Sequence, residues 1–108
     1  MRYFVVAFQS LPVQQEIQLR DLFGENGFRF WHRFPNVWLV ITETDIDVFE
    51  LQDMIAAQIG WGPHHLAVEF DASAIAVSVP DSFQSWFEKH LNLEFVEENS
   101  AKPIEQKE

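Results

Sequence analysis

Apolar positions along the chain fall into short runs whose period switches between two and about 3.6. Tyr3 to Phe8 is a continuous apolar run of strand length, which suits a central strand covered on both faces. Val13, Ile17 and Leu19 to Phe23 give a partly amphipathic helix, with Gln14, Gln15, Gln18 and Asp21 on its wet side. Ser10 is positioned as its N-cap, Pro12 suits its first turn, and Gly24 and Gly27 mark its end. From Phe28 the period becomes two: Phe28, Phe30, His32 and Phe34 share one face, and Arg29, Trp31 and Arg33 share the other. Pro35-Asn36 breaks the run, and Val37 to Thr42 follows with aromatic or branched residues at most positions. The stretch 28–42 therefore predicts a β-hairpin, with Pro35 in the connection because it has no N–H to give a ladder.

A second helix is predicted from Asp47 to Gly60. Asp47 and Glu50 are spaced as a capping box, Val48, Leu51, Ile55 and Ile59 recur at helical spacing beside Met54, and Gly60 supplies the stop. Leu66, Val68 and Phe70 alternate with Ala67 and Glu69, so His65–Phe70 reads as a fourth strand. The element order is β-α-β-β-α-β, the ferredoxin-like arrangement. It predicts an α+β fold with an antiparallel sheet, both helices on one face and the first and third strands central. Ala74 to Val79 is a candidate fifth strand. Residues 81–91 read as an added C-terminal helix, capped by Asp81 or Ser82, with Phe83, Trp86, Phe87 and Leu91 on one side. Those four residues are a candidate interaction surface. Leu93 to Val96 is a candidate edge strand, so that 1–96 forms one domain, and 97–108 reads as a disordered acidic tail.

Composition narrows the functional classes. The chain has 108 residues, 47% of them hydrophobic, enough for one domain with a modest core. It contains no cysteine, which removes disulfides and thiolate metal sites. No apolar run approaches the roughly 20 residues that span a bilayer, and RYFVVAF lacks the length and cleavage site of a signal peptide. The expectation is a cytoplasmic protein with no membrane contact. The net charge of −10 is unevenly spread: residues 1–34 carry +1, residues 35–80 carry −7 with no Lys or Arg, and residues 81–108 carry −4. Such a surface repels phosphate backbones and makes nucleic acid an unfavoured partner. If nucleic acid binds at all, Arg29, His32 and Arg33 are the candidate contacts, although the two arginines also suit a solvated strand face.

Candidate chemistry is sparse. His64-His65 are adjacent in a strand-like segment, so they point to opposite faces and chelate poorly. His32, on an apolar face, reads as a hydrogen-bonded core or edge residue, and His90 sits near a helix C-terminus, where a cation is mildly favoured. Asp45, Asp47, Glu50 and Asp53 form an acidic patch around the second helix without the glycine or spacing of a calcium loop, and so read as a solvated face. No phosphate loop, nucleophile elbow or zinc motif is present. No catalytic residue, metal site or cofactor is expected from these residues.

RYFVVAF, FWHRFPNVWLVIT and SFQSWFEKHL together resemble small bacterial SinR-like proteins, related to virulence-associated protein D and to the small nuclease-like subunit of the CRISPR adaptation complex. Trp31-His32 and Val37-Trp38-Leu39-Val40 match best, and the resemblance spans about residues 2–92. It implies a ferredoxin-like fold, often dimeric, in defence or toxin–antitoxin settings. Nucleases of that group carry a metal-binding Asp at the end of the first strand. The matching position here is Gln9, a neutral amide that binds Mg²⁺ weakly and cannot act as a base. The leading expectation is therefore a non-catalytic interaction or regulatory module, homodimeric or bound to another protein. A divalent-metal nuclease, and an acidic nucleic-acid mimic that occupies a basic partner, are the alternatives.

Overall fold

Alternation along the first strand decides which side of the sheet is dry. In the computed structural model, which describes residues 1–93, β1 (Arg2–Phe8) buries Phe4, Val6 and Phe8 on one face and leaves Tyr3, Val5 and Ala7 half-buried on the other. Two helices, α1 (Val13–Glu25) and α2 (Val48–Ile59), supply the opposing apolar faces. Leu19, Leu22 and Phe23 of α1 and Leu51, Ile55 and Ile59 of α2 meet Phe4, Val6 and Phe8 in one core. β2 (Arg29–Trp31) and β3 (Val37–Thr42) complete it with Phe30, Trp38 and Val40. Each large side chain buried there is worth about 1.5–3 kcal/mol of transfer free energy.

With β4 (His65–Phe70) the sheet has four antiparallel strands in the order β2-β3-β1-β4. The α+β class and the central placement of the first and third strands match the sequence reading. Contacts divide the chain into two compact units, Met1–Ile75 and a second that starts at Ala76. In the second unit a single 3₁₀ turn, Asp81–Phe83, leads into α3 (Gln84–Leu91).

Local signals explain most boundaries. Asp47 and Glu50 form the expected capping box: Glu50 N–H donates to Asp47 Oδ1 and Asp47 N–H donates to Glu50 Oε1, each at 2.8 Å. α2 stops at Gly60, whose φ of 85° suits glycine. The hairpin turns at Pro35-Asn36, with Asn36 at φ 67° and Val37 N–H donating to the Phe34 carbonyl at 3.2 Å.

Several expectations are corrected. Ser10 does not cap α1. Pro12 stands at the N-cap in an extended conformation, and its carbonyl accepts from Gln15 and Glu16 N–H, so the helix begins at Val13. Gly24 lies inside α1, and only Gly27, at φ 71°, takes the left-handed conformation after it. β2 is three residues long and does not reach Phe34, which is exposed. The Arg29/Trp31 face is not a solvated strand face, since Trp31, Leu39 and Ile41 on that side are all buried. Neither Asp81 nor Ser82 caps α3 through its side chain, and Phe83 holds the N-cap position. Ala74–Val79 forms no strand, because a turn closed by Ala74 N–H on the Asp71 carbonyl leads the chain out of β4. The expected strand at Leu93–Val96, beyond its first residue, and the tail at 97–108 fall outside the described residues.

Candidate functional site

A set of polar groups packed against aromatic rings joins α1 to the hairpin. His32 follows β2 and lies flat on the Trp38 indole, with centroids 3.9 Å apart and planes 3° from parallel. Its Nδ1 is 2.8 Å from the Val37 carbonyl oxygen, and its Nε2 is 3.2 Å from Glu16 Oε2. Both nitrogens face oxygens, so the Val37 contact needs a proton on Nδ1, and the Glu16 contact needs one on Nε2 or on the carboxylate. Arg20, one turn on from Glu16, reaches the same carboxylate at 3.5 Å and places its guanidinium 5.6 Å from the Trp38 centroid and 5.8 Å from that of Phe30. His32 is therefore the hydrogen-bonded core-edge residue that its apolar neighbours predicted. Sequence reasoning missed Glu16 as its partner. The only local signal was the Glu16–Arg20 spacing of four on a helix.

The three candidate nucleic-acid contacts are not brought together. Arg29 pairs across β3 with Ile41, on the sheet face opposite the helices, and its guanidinium donates to Glu43 at 2.7 Å. His32 is on the helix side, held by Val37 and Glu16. Arg33 is exposed in the loop after β2. A phosphate backbone would meet these as separate groups, with Arg29 already held by Glu43 and His32 by Glu16.

The acidic patch is largely engaged. Asp45 accepts from Arg2 Nη1 at 2.7 Å, Asp47 and Glu50 are bound to each other's backbone in the capping box, and Asp53 is exposed on α2. Arg2 also grips Glu69 of β4 with two hydrogen bonds, from Nε at 2.7 Å and Nη2 at 2.8 Å. Those bonds hold the Glu69 carboxyl below its ordinary range and raise Arg2 further above neutrality. Asp71 is also held below the usual carboxylate range, by the backbone N–H and hydroxyl of Ser73. An open depression of about 530 Å³ lies among Arg2, Tyr3, Glu69, Phe70 and Asp71. Its carboxylates remain ionised near neutral pH, where they are weak general acids and weak bases.

Gln9 follows β1 immediately, at the strand end expected for it, with its N–H donating to the His64 carbonyl at 3.0 Å. His65 points toward the helix side, its Nδ1 3.2 Å from the Pro63 carbonyl oxygen and its ring 5.2 Å from that of Phe8. His64 is exposed beside it. Among the described residues no three His, Asp or Glu gather to hold a metal ion, and no helix is long and apolar enough to cross a membrane.

Of the candidate interaction surface on α3, Phe87 and Leu91 are buried within the chain, while Phe83 and Trp86 keep partial exposure. Trp86 meets Phe87 edge-on at 5.4 Å and His90 at 4.9 Å. On β4, Leu66 and Val68 are 58% and 47% exposed. The sequence carried that signal in the alternation of Leu66, Val68 and Phe70, but alternation does not say which phase faces the helices.

No family model, curated protein or solved structure matches the chain.

Proposed function

We propose that this protein is a non-catalytic interaction module that works as a homodimer, on a ferredoxin-like arrangement of its first 75 residues. The observation that carries this reading is β4, an edge strand with two large aliphatic side chains turned to solvent. Two further features support it. The polar groups nearest to a reactive arrangement are already paired, His32 with Glu16 and Arg2 with Glu69 and Asp45. The position at the end of β1 holds the neutral Gln9. A defence or toxin–antitoxin setting belongs to the proposal on the strength of the sequence resemblance alone.

Light scattering on the purified full chain tests the reading, together with tagged recovery from native lysate split into nuclease-treated and untreated halves. A dimer mass is the expected result, and a protein partner retained after nuclease treatment would show what the dimer binds. A monomer overturns the homodimer reading, and one that also retains no protein overturns the interaction module with it.

A further inference from the structure

Backbone parity along β4 shows which groups its outer edge, unpaired among the described residues, offers. Gln9 N–H donates to the His64 carbonyl, and the β1–β4 register continues through Phe8↔His65 to Tyr3↔Phe70. Hydrogen-bonded pairs alternate in an antiparallel ladder, so Leu66, Val68 and Phe70 turn their N–H and C=O groups toward β1. β1 agrees from its other side, since Phe8 N–H donates to the Asn36 carbonyl of the hairpin. The N–H and C=O groups of His65, Ala67 and Glu69 therefore point out from the sheet edge.

The two edges of the sheet differ. β2 is three residues long and carries an exposed Arg paired with Glu43, features that discourage strand addition. β4 is six residues long with no Pro and no Lys. We infer that β4 pairs antiparallel with β4 of a second copy of this chain, about a two-fold axis at Ala67. The inference rests on the homodimer reading and names its surface.

Self-complementarity selects both the occupant and the register. With the axis at Ala67, every outward N–H and C=O of His65, Ala67 and Glu69 finds a partner. Leu66 then lies beside Val68 of the second copy on the open face, where both are exposed in the single chain. His65 lies opposite Glu69 of the second copy, a pairing of an imidazole with a carboxylate. Other registers are poorer. An axis at Glu69 sets two carboxylates against each other, and an axis at His65 or Leu66 brings Pro63, which has no N–H, into the ladder. An axis at Val68 carries the pairing past Phe70, the last strand residue. The net charge of −10 opposes self-association, but Arg2 offsets Glu69 and Asp45 at this edge, and more distant charges are screened beyond about 8–10 Å at physiological salt.

Amide hydrogen exchange on the ¹⁵N-labelled full chain, followed across a dilution series with the mass measured at each concentration, reads the edge directly. In the dimer the His65, Ala67 and Glu69 amides should approach the protection of Leu66 and Val68, and on dilution they should exchange about tenfold faster or more. Ala67→Pro removes one outward donor while leaving the ladder to β1 complete, and Val68→Lys places a charge on the open face. Each should give a monomer, and whichever variant keeps the native circular dichroism spectrum decides. A dimer whose three outward amides exchange freely, or that survives in a folded variant, overturns the edge pairing and leaves the homodimer reading standing. A monomer at every concentration overturns both.

Discussion

His32 and Trp38 stack face to face at 3.9 Å, and this contact ties the loop after β2 to the centre of the helix-side core. Trp38 is fully buried and meets Phe23 edge-on at 5.7 Å, so the histidine extends an aromatic cluster that reaches from α1 to the sheet. His32→Ala removes the stacking and the bond to the Val37 carbonyl. It should lower the unfolding free energy by about 1–3 kcal/mol, seen as a lower denaturant midpoint at unchanged slope. A change within about 0.5 kcal/mol would mean that the ring behaves as a surface residue and is free for another role.

The acidic residues around α2 should separate by what they hold. Asp47 satisfies a backbone donor at the helix start, and Asp47→Ala should cost about 1 kcal/mol. Asp53 is exposed in mid-helix, and Asp53→Ala should fall within about 0.5 kcal/mol of the parent. Thermal unfolding of the two variants beside the parent checks the contrast. Equal effects would argue that the four acids act as a single electrostatic patch, as the nucleic-acid mimic reading requires.

Residues whose meaning is local were legible in the sequence. The Asp47/Glu50 spacing, the stop at Gly60 and the strand at His65–Phe70 depend on neighbours within a few positions, and each stands where the pattern put it. The central places of β1 and β3 follow from element order and the handedness of crossovers. The misreadings share a different cause. Period two puts Trp31 on one face with Arg29 and Arg33 but does not say which face is covered, and Trp31 is buried on the face away from the helices. Glu16 meets His32, and Arg2 meets Glu69, across distances in sequence that only the register of the folded sheet closes. The candidate site is legible only in part for the same reason: the residue types are visible, but the partners that commit them are not.

Two glycines should respond in opposite directions. Gly60 ends α2 at φ 85° and ψ 172°, a region that residues with a Cβ scarcely enter, so Gly60→Ala should destabilise by about 1–3 kcal/mol. Gly24 is helical and exposed, and a Cβ there meets no atom within 4 Å. Gly24→Ala should stabilise by about 0.4–1 kcal/mol through lost freedom of the unfolded chain. Denaturant midpoints of the pair measure both, and a destabilising Gly24→Ala would show that this turn of α1 is not regular helix in solution.

Acid should loosen the join between β1, β4 and the loop before α2. The Glu69 carboxyl is held below its ordinary value of 4.5, first by its hydrogen bonds to Arg2, so the folded state binds its proton less readily than the unfolded state. The stability this contributes is fully present above the unfolded value and is lost as pH falls through the lower, folded one. Asp71, held low by Ser73, adds loss of the same sign below its ordinary value of 3.8. Stability measured by denaturant at a series of pH values should therefore be level through neutrality and decline below about 4.5. Arg2→Met removes the cation that stabilises the Glu69 carboxylate. The variant should be weaker at pH 7 and should lose less on acidification, and the residual acid slope should track Asp71. An unchanged acid slope in Arg2→Met would mean that the guanidinium does not hold Glu69 in solution, and the offset of charge at the β4 edge would go with it.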